Sequence, residues 1–595
     1  MLALGGAAAA APTWTGPVAL SPAARVVGPE LALNAVGDAV VVWNREEGEV
    51  CADAPDNPAC VHIVEAISRS PGSTAWQPPA EIARPGVGSR PLVALDAAGD
   101  AVAIWSHDIG VPRVLQASYR RGRSGPWENP IDVSDERFRA ASQQVAIDSA
   151  GDVIVAWARF GDSGSVVQAR IRDAASGVWD APVDVSRPDA AVVDPPSLAA
   201  GPGGTAVLAW VLTTGVVQAS VRAGGWGSPV DLGDGAAADV DVTVSASGDA
   251  AAVWSGLRGG SVVVRSAFRA AGGGWTSPVD VASVQRSTSA WPQIALDSAG
   301  NAHAVWLGGG APALVHASTR PRGSTTWSAP VAIAPPDRET SRPQLALDAA
   351  GNAVAAWTDA DGMTRVAIRP VGGSWQPAAE VSSVPTAGVR VGMGEVGAAL
   401  AVWSRLEPGR IRVEASQLGG TGPVLAGFVV PPTATAGVPV ELRVQPQAWA
   451  SPLAGEPEWR FGDGSSARGA TVRHAFARPG RYTVSVTQSD AAGGTSTATA
   501  AITVAARAPA NTVLPSIRGR PRVRATLTCR PGSWTGTPPL RFAYRWLRNG
   551  RFVAGALSSR FRVRPRDRGS TLRCRVNATN AAGSRPAVSR PLRIR

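Results

Sequence analysis

Between residues 13 and 423 the chain alternates short apolar runs with tight polar punctuation. The clearest stretch is Pro343-Gln-Leu-Ala-Leu-Asp348-Ala-Ala-Gly351-Asn-Ala-Val-Ala-Ala-Trp357. Runs this short, rich in Val and Ala and bounded by Gly, Pro and Asp, predict strands rather than helices. The pattern recurs, and its closing tryptophan falls at Trp43, Trp105, Trp157, Trp210, Trp254, Trp306, Trp357 and Trp403. Each unit reads as four strands. Strand a is the Leu-Ala-Leu-Asp segment and strand b the Ala-Val-Ala-Ala-Trp segment. Strand c is typified by Val166-Val-Gln-Ala-Arg-Ile-Arg172 and strand d by Trp275-Thr-Ser-Pro278-Val-Asp-Val281.

Successive tryptophans stand 62, 52, 53, 44, 52, 51 and 46 residues apart. A period near 50 in an all-β pattern is the signature of a β-propeller, and eight copies predict eight blades. Strands a and b are apolar on both faces, as expected where each blade is covered by its neighbours. The strand-b tryptophan then reads as a wedge between blades rather than a ligand platform. Asp96, Asp148, Asp297 and Asp348 open the a–b turns, where Asp bonds the following backbone and Gly supplies positive φ, so turn closure is their expected role. Strand d carries Pro17, Pro79, Pro130, Pro182, Pro229, Pro278, Pro330 or Pro377, which marks an edge strand. A d-type segment, Trp14 to Leu20, precedes the first strand a, and no strand d follows the last strand c. The N-terminal strand is therefore expected to complete blade eight in a 3+1 clasp. In this topology the b–c and d–a loops share one face, where length varies most and binding is expected.

Charge divides the chain. All 57 basic residues are arginine, and the net charge of +11 hides an acidic front and a basic tail. Residues 1–423 carry 30 Arg against 40 acids, whereas residues 507–595 carry 21 Arg against one. Segment 1–12 is Ala-rich and reads as a signal-peptide remnant or a disordered leader. No apolar run is long enough for a membrane helix. The four cysteines fall into two local pairs, Cys51 with Cys60 and Cys529 with Cys574, which suits disulfides in an oxidising compartment better than a metal site.

Candidate sites lie where the period breaks. The longest gap holds a loop with Glu46, Glu47, Glu49, Asp53 and Asp56, spanned by Cys51 and Cys60. It could hold Ca²⁺ through oxygen ligands, bind a cationic partner, or be a solvated loop; EF-hand spacing is absent, so the metal is unassigned. Trp291 is out of phase, in a d–a loop before Pro292, placed either to stack on a sugar ring or to pack under its own loop. Asp359 and Asp361 form a second acidic loop in which turn chemistry is expected. No GxSxG turn or zinc signature occurs. The Asp-containing hairpins resemble the Asp-box turns of sialidase-like propellers but depart in the spacing of Trp and lack the Ser two before Asp. That family uses a Tyr nucleophile, and Tyr119 is the one tyrosine in the repeat region. Carboxylate pairs from different blades stay open as a glycoside-cleaving site.

Past residue 423 the repeat stops. Trp459-Arg-Phe-Gly-Asp463-Gly464, His474-Ala-Phe476 and Pro479-Gly-Arg-Tyr482-Thr-Val closely resemble a PKD domain. The resemblance implies an Ig-like sandwich over 424–506, with a Gly-Asp-Gly turn, Trp and Tyr in the core, and a spacer or interaction role. Residues 507–595 resemble bacterial Ig-like surface repeats through Thr526-Leu-Thr-Cys529, Gly532-Ser-Trp534, Tyr544-Arg-Trp546, Leu572-Arg-Cys574 and Asn580-Ala-Ala-Gly583. That likeness implies Trp546 packed on a Cys529–Cys574 disulfide. Arg518, Arg520, Arg522 and Arg524 alternate, which in a strand would put all four on one face as a polyanion stripe.

The expectation is an all-β protein: an eight-bladed β-propeller over 13–423 and two Ig-like β-sandwiches. It would be a secreted, extracellular or cell-wall-associated monomer. It would bind a glycan, a protein or a cell-wall polyanion rather than nucleic acid, with no cofactor unless Ca²⁺. The rival reading is an extracellular carbohydrate-active enzyme with the propeller as catalytic domain.

Overall fold

The computed structural model describes residues 13–22, 24–48, 60–71, 73–84, 90–108, 113–161, 164–187, 191–192, 195–233, 236–284, 290–309, 313–335, 340–394, 397–419, 422–449, 451–491 and 493–595. They form two compact units, Pro12–Gly422 with Gln447–Pro452, and Pro423–Pro446 with Leu453–Arg595. The leader at 1–12 lies outside the described residues.

In the first unit, sequence repeats 2 to 7 each fold as one four-stranded antiparallel sheet in the order a-b-c-d, a propeller-like blade. Repeat 3 is representative: Arg139–Ile147, Val153–Gly161, Gly164–Arg172 and Val183–Asp184. Strand d is short and lies at the sheet edge. In repeats 2 to 6 its proline sits just before it, and in repeats 2 to 5 the preceding tryptophan makes a single bridge, as Trp179 does with Arg172. A proline there costs no ladder hydrogen bond. Repeats 1 and 8 share a nine-stranded sheet. Within it the N-terminal strands Thr13–Trp14 and Val18–Ala19 lie antiparallel to Arg410–Gly419, with Trp14 opposite Leu418 and Val18 opposite Ala415.

The eight strand-b tryptophans are fully buried, each at 0 or 1 % exposure. Wherever their clusters are resolved, they pack against the preceding repeat. Trp157 meets Val102, Ile104 and Leu115 of repeat 2, and Trp254 meets Val207, Ala209 and Val217 of repeat 4. Trp43 of repeat 1 meets Leu400, Val402, Val413 and Ala415 of repeat 8. The small Ala and Val side chains of strands a and b let neighbouring sheets approach, and one large ring fills each gap. The turn aspartates close their hairpins: Asp96, Asp148, Asp297 and Asp348 each accept from the amide four residues on, at 2.8 to 3.0 Å. Residues 447–452 belong to this same unit; Trp449 is buried and its Nε1 donates to the Gly397 carbonyl at 3.1 Å.

The second unit holds two cores. In the first, a three-stranded and a five-stranded sheet enclose Leu442, Trp459, Phe461, Phe476, Val484 and Ile502, with Tyr482 packed against them. The Gly-Asp-Gly turn carries φ of +78° and +93° at Gly462 and Gly464, and Asp463 Oδ1 accepts from the Ser465 amide. In the second core, Trp546 packs with Leu527, Phe561 and the bonded pair Cys529–Cys574. The alternating arginine stripe does not form. The strand Ser516–Arg518 ends at Arg518, because Gly519 turns the chain with φ +123°, Pro521 follows, and Arg524 takes φ +70°. Arg520, Arg522 and Arg524 therefore lie in a turn, not on one strand face.

Candidate functional site

The site is built on the a strands. In every repeat one residue of strand a stands opposite the residue just before the strand-b tryptophan. These equivalent positions are Glu30, Leu92, Gln144, Ser197, Asp241, Gln293, Gln344 and Arg390. Seven of the eight are polar, on strands whose other positions are mostly apolar. Several bond to the next repeat. Ser197 Oγ accepts from the Val242 amide at 3.1 Å, Asp241 Oδ2 from the Ile294 amide at 2.9 Å, and Gln293 Oε1 from the Leu345 amide at 2.9 Å. Arg390 grips Glu30 with two hydrogen bonds, of 2.7 and 2.6 Å, joining repeat 8 to repeat 1. The positions thus lace consecutive repeats and also present polar groups at one level.

Just ahead of this level, strand a is bulged in repeats 1, 3, 5 and 8. The bulge places Gly28, Ser142, Asp239 and Gly388 at φ of +52° to +64°. Trp291 also has positive φ, at +42°. Left-handed backbone at non-glycine residues is costly, and such strain gathers at functional sites.

A cleft of about 450 Å³ opens where the d–a loops enter strands a of repeats 5 to 8. Its walls include Asp239, Asp241, Trp291, Gln293, Ser341, Arg342, Gln344, Thr358 and Arg390. Trp291 is half-buried, and the Arg342 guanidinium lies 4.4 Å from its ring centroid. Arg342 is exposed and makes no ion pair among the described residues. Asp241 is enclosed by protein, though water reaches it from the cleft. That burial pushes its carboxyl up to about 6, against the opposing pull of the Ile294 amide and the Ser197 hydroxyl. Arg390 is likewise enclosed, which disfavours its charge, but Glu30 more than compensates and its pKa rises. Chemically the cleft offers an aromatic ring with a guanidinium over one face, two primary amides, hydroxyls and two carboxylates. A concave site with few polar groups around an aromatic ring suits a small polar ligand with one apolar face.

Of the residues singled out in sequence, Trp291 lines this cleft, on the expected loop face. Glu46 and Glu47 do not. Glu46 is nearly buried against Arg25 at 2.9 Å, and Glu47 pairs with Arg84 at 3.0 Å, so both are held by arginines. Glu49, Cys51, Asp53 and Asp56 lie outside the described residues. Cys60 is disulfide-bonded. No cluster of three or more His, Cys, Asp or Glu suited to a metal occurs among the described residues. Asp359 caps the Asp361 and Met363 amides and pairs with Arg365, which is turn chemistry. Tyr119 donates to Asp100 beside an a–b turn, not at the cleft; burial and that carboxylate push its hydroxyl up to about 12. Asp239, Asp241, Gln293, Gln344, Arg342 and Arg390 were missed. The signal was present: the polar strand-a position always lies four residues before the turn residue, as Gln293 before Asp297 and Gln344 before Asp348.

Residues 421–504 match the PKD domain family. No curated protein matches the chain. Among solved structures, a lectin from Burkholderia pseudomallei is similar at 14% identity, with 60% of this chain and 99% of that one covered and a TM-score of 0.42. A polysaccharide lyase described as an ulvan lyase is similar at 13% identity, with 67% and 95% covered and a TM-score of 0.39. A lectin from Aleuria aurantia, in complex with Fucα1-6GlcNAc, is similar at 12% identity, with 52% and 97% covered and a TM-score of 0.30. The PKD match and the Cys529–Cys574 disulfide fit an extracellular protein. No helix among the described residues is long and apolar enough to cross a membrane.

Proposed function

We propose that the repeat-bearing unit is an eight-bladed propeller, closed by its N-terminal strand, that binds a glycan in the Trp291 cleft of a secreted protein. The observation that carries the binding site is the half-buried, positive-φ Trp291, which lines the cleft together with Arg342 and the amides Gln293 and Gln344. A sugar ring needs an apolar face to stack on and planar polar groups at its edge, and these residues supply both. Closure is supported by the packing of Trp43 on repeat 8 and by the Arg390–Glu30 pair.

The test is a glycan array with the full chain, followed by calorimetry on the best binder with Trp291→Ala and Gln344→Ala. Loss of one stacking contact and its hydrogen bonds should weaken binding at least about tenfold, or about 1.4 kcal/mol. A wild-type array without binders, or a Trp291→Ala protein that binds as well, would overturn the site.

A second reading, cleavage of that glycan, is favoured by one observation. Asp241 titrates near 6 within the cleft, so it holds a proton in mildly acidic solution. Against it, Asp239 and Asp241 rise from one strand, whereas paired carboxylates in glycoside cleavage flank the bond. New reducing ends on a bound polysaccharide, lost in Asp241→Asn, would establish this reading; a polymer recovered intact would dismiss it.

A further inference from the structure

Residues 507–595 contain 21 arginines and one acidic side chain, Asp567. Asp567 is buried and used within the fold: Oδ1 accepts from Arg548 at 2.9 Å and Oδ2 from the Arg564 amide at 2.8 Å. Among the described residues, the other arginines of this segment make no ion pair with a carboxylate. Folding gathers several of them.

The strands Ser516–Arg518, Thr526–Arg530 and Arg560–Arg562 form one sheet. Ile517, Leu527, Cys529 and Phe561 turn inward to the core. By alternation, Arg518, Arg530, Arg560 and Arg562 stand on the opposite face, and all four are exposed. Arg518 lies opposite Thr528, which lies opposite Arg560; Arg530 lies opposite Ser516 and Arg562 opposite Thr526. Small hydroxyl residues thus separate the arginines and leave the face flat. Strand geometry puts Arg518 and Arg560 about 10 Å apart and Arg560 and Arg562 about 7 Å apart. Beside this face is a cleft of about 350 Å³ lined by Arg524, Arg560, Arg562 and Arg564.

We propose that this arginine face binds an extended anionic polysaccharide, whose successive carboxylates or sulfates are held by the guanidinium forks. Arginine presents a planar fork that fits such oxyanions with two parallel hydrogen bonds. At physiological salt, charges further apart than about 8 Å are largely screened from one another, so the face acts on a polymer laid across it rather than on a single ion at its centre. Nucleic acid fits less well. The face carries no aromatic ring on which a base could stack, and a flat three-stranded sheet offers no element to enter a groove. This face belongs to one compact unit and the Trp291 cleft to the other, so either can fail alone.

The experiment measures binding of the full chain to immobilised polygalacturonate, dextran sulfate, uncharged dextran and a short DNA duplex, at low and high salt. One variant replaces Arg518, Arg530, Arg560 and Arg562 by Gln. A charge-matched control replaces Arg541, Arg545, Arg573 and Arg585 by Gln. The carboxylated or the sulfated polymer should bind, which tells the two sources apart, and uncharged dextran should not. The face variant should lose at least about tenfold in affinity with a shallower salt dependence, and the control clearly less. If the fourfold variant does not fold, Arg560→Gln alone should still flatten the salt dependence. Equal losses in face and control variants, tighter binding of the duplex, or no binding to either anionic polymer would overturn the proposal.

Discussion

Replacing Trp43 by Ala examines ring closure directly, because Trp43 is the wedge at the seam between the first and last repeats. It is fully buried among Val26, Ile67, Leu400, Val402, Val413 and Ala415. A buried tryptophan removes about 150–250 Å² from water, about 4–6 kcal/mol at 25 cal/mol per Å². Measured Trp-to-Ala costs of about 3–5 kcal/mol set the same scale. The hydrogen bond from Trp43 Nε1 to Glu65 at 2.8 Å adds little, since Glu65 keeps Arg45 at 2.7 Å. A local penalty of about 4 kcal/mol should raise amide exchange limited by local opening about a thousandfold. Hydrogen exchange followed by mass spectrometry reads this by segment. Faster exchange is expected in Ala39–Glu47 and, across the seam, in Ala399–Glu407 and Arg410–Gly419. Trp105→Ala, whose ring packs on Val40, Val42 and Val64 of repeat 1, should leave repeat 8 unchanged. If Trp43→Ala loosens repeat 1 alone, the seam does not couple the two repeats and the closed ring is wrong.

Other expectations can be measured with the same protein. The folded Asp241 carboxyl titrates near 6 and an unfolded one near 3.9, so the folded state binds the extra proton between these values. Stability should therefore fall as pH rises from about 4 to 6, and melting temperatures of Asp241→Asn should lack that component. The Cys529–Cys574 bond closes a loop with a sequence separation of 45 residues. By loop-closure entropy its reduction should cost about 4 kcal/mol, seen as a lower melting transition of the second unit in reductant.

Much of the fold was legible because it is a repeat of short-range chemistry. In four repeats an aspartate and the glycine three residues on close the a–b hairpin through local contacts, as Asp297 and Gly300 do. A proline marks strand d as an edge by lacking a donor. The PKD residues Trp459, Gly462, Asp463, Gly464 and Tyr482 took their expected places for the same reason. The arginine stripe failed because alternation was projected through Gly519 and Pro521, and a turn erases it. Glu46 and Glu47 looked like a ligand cluster because their partners Arg25 and Arg84 are distant in sequence.

What the sequence alone determined was the meander, its punctuation, and the PKD domain that follows. The tertiary structure decided which polar residues meet. Asp241, Gln293, Gln344 and Arg390 come from four separate repeats, and each taken singly is one polar residue of a strand a. Only packing of the repeats on one another, driven by burial of the strand-b tryptophans, brings these residues and Trp291 to the walls of one cleft. The same holds for Arg518, Arg530, Arg560 and Arg562, which share a face because three strands pair. Hairpins form from neighbours in the chain; sites form from neighbours across sheets, and their register depends on side chains far apart in sequence.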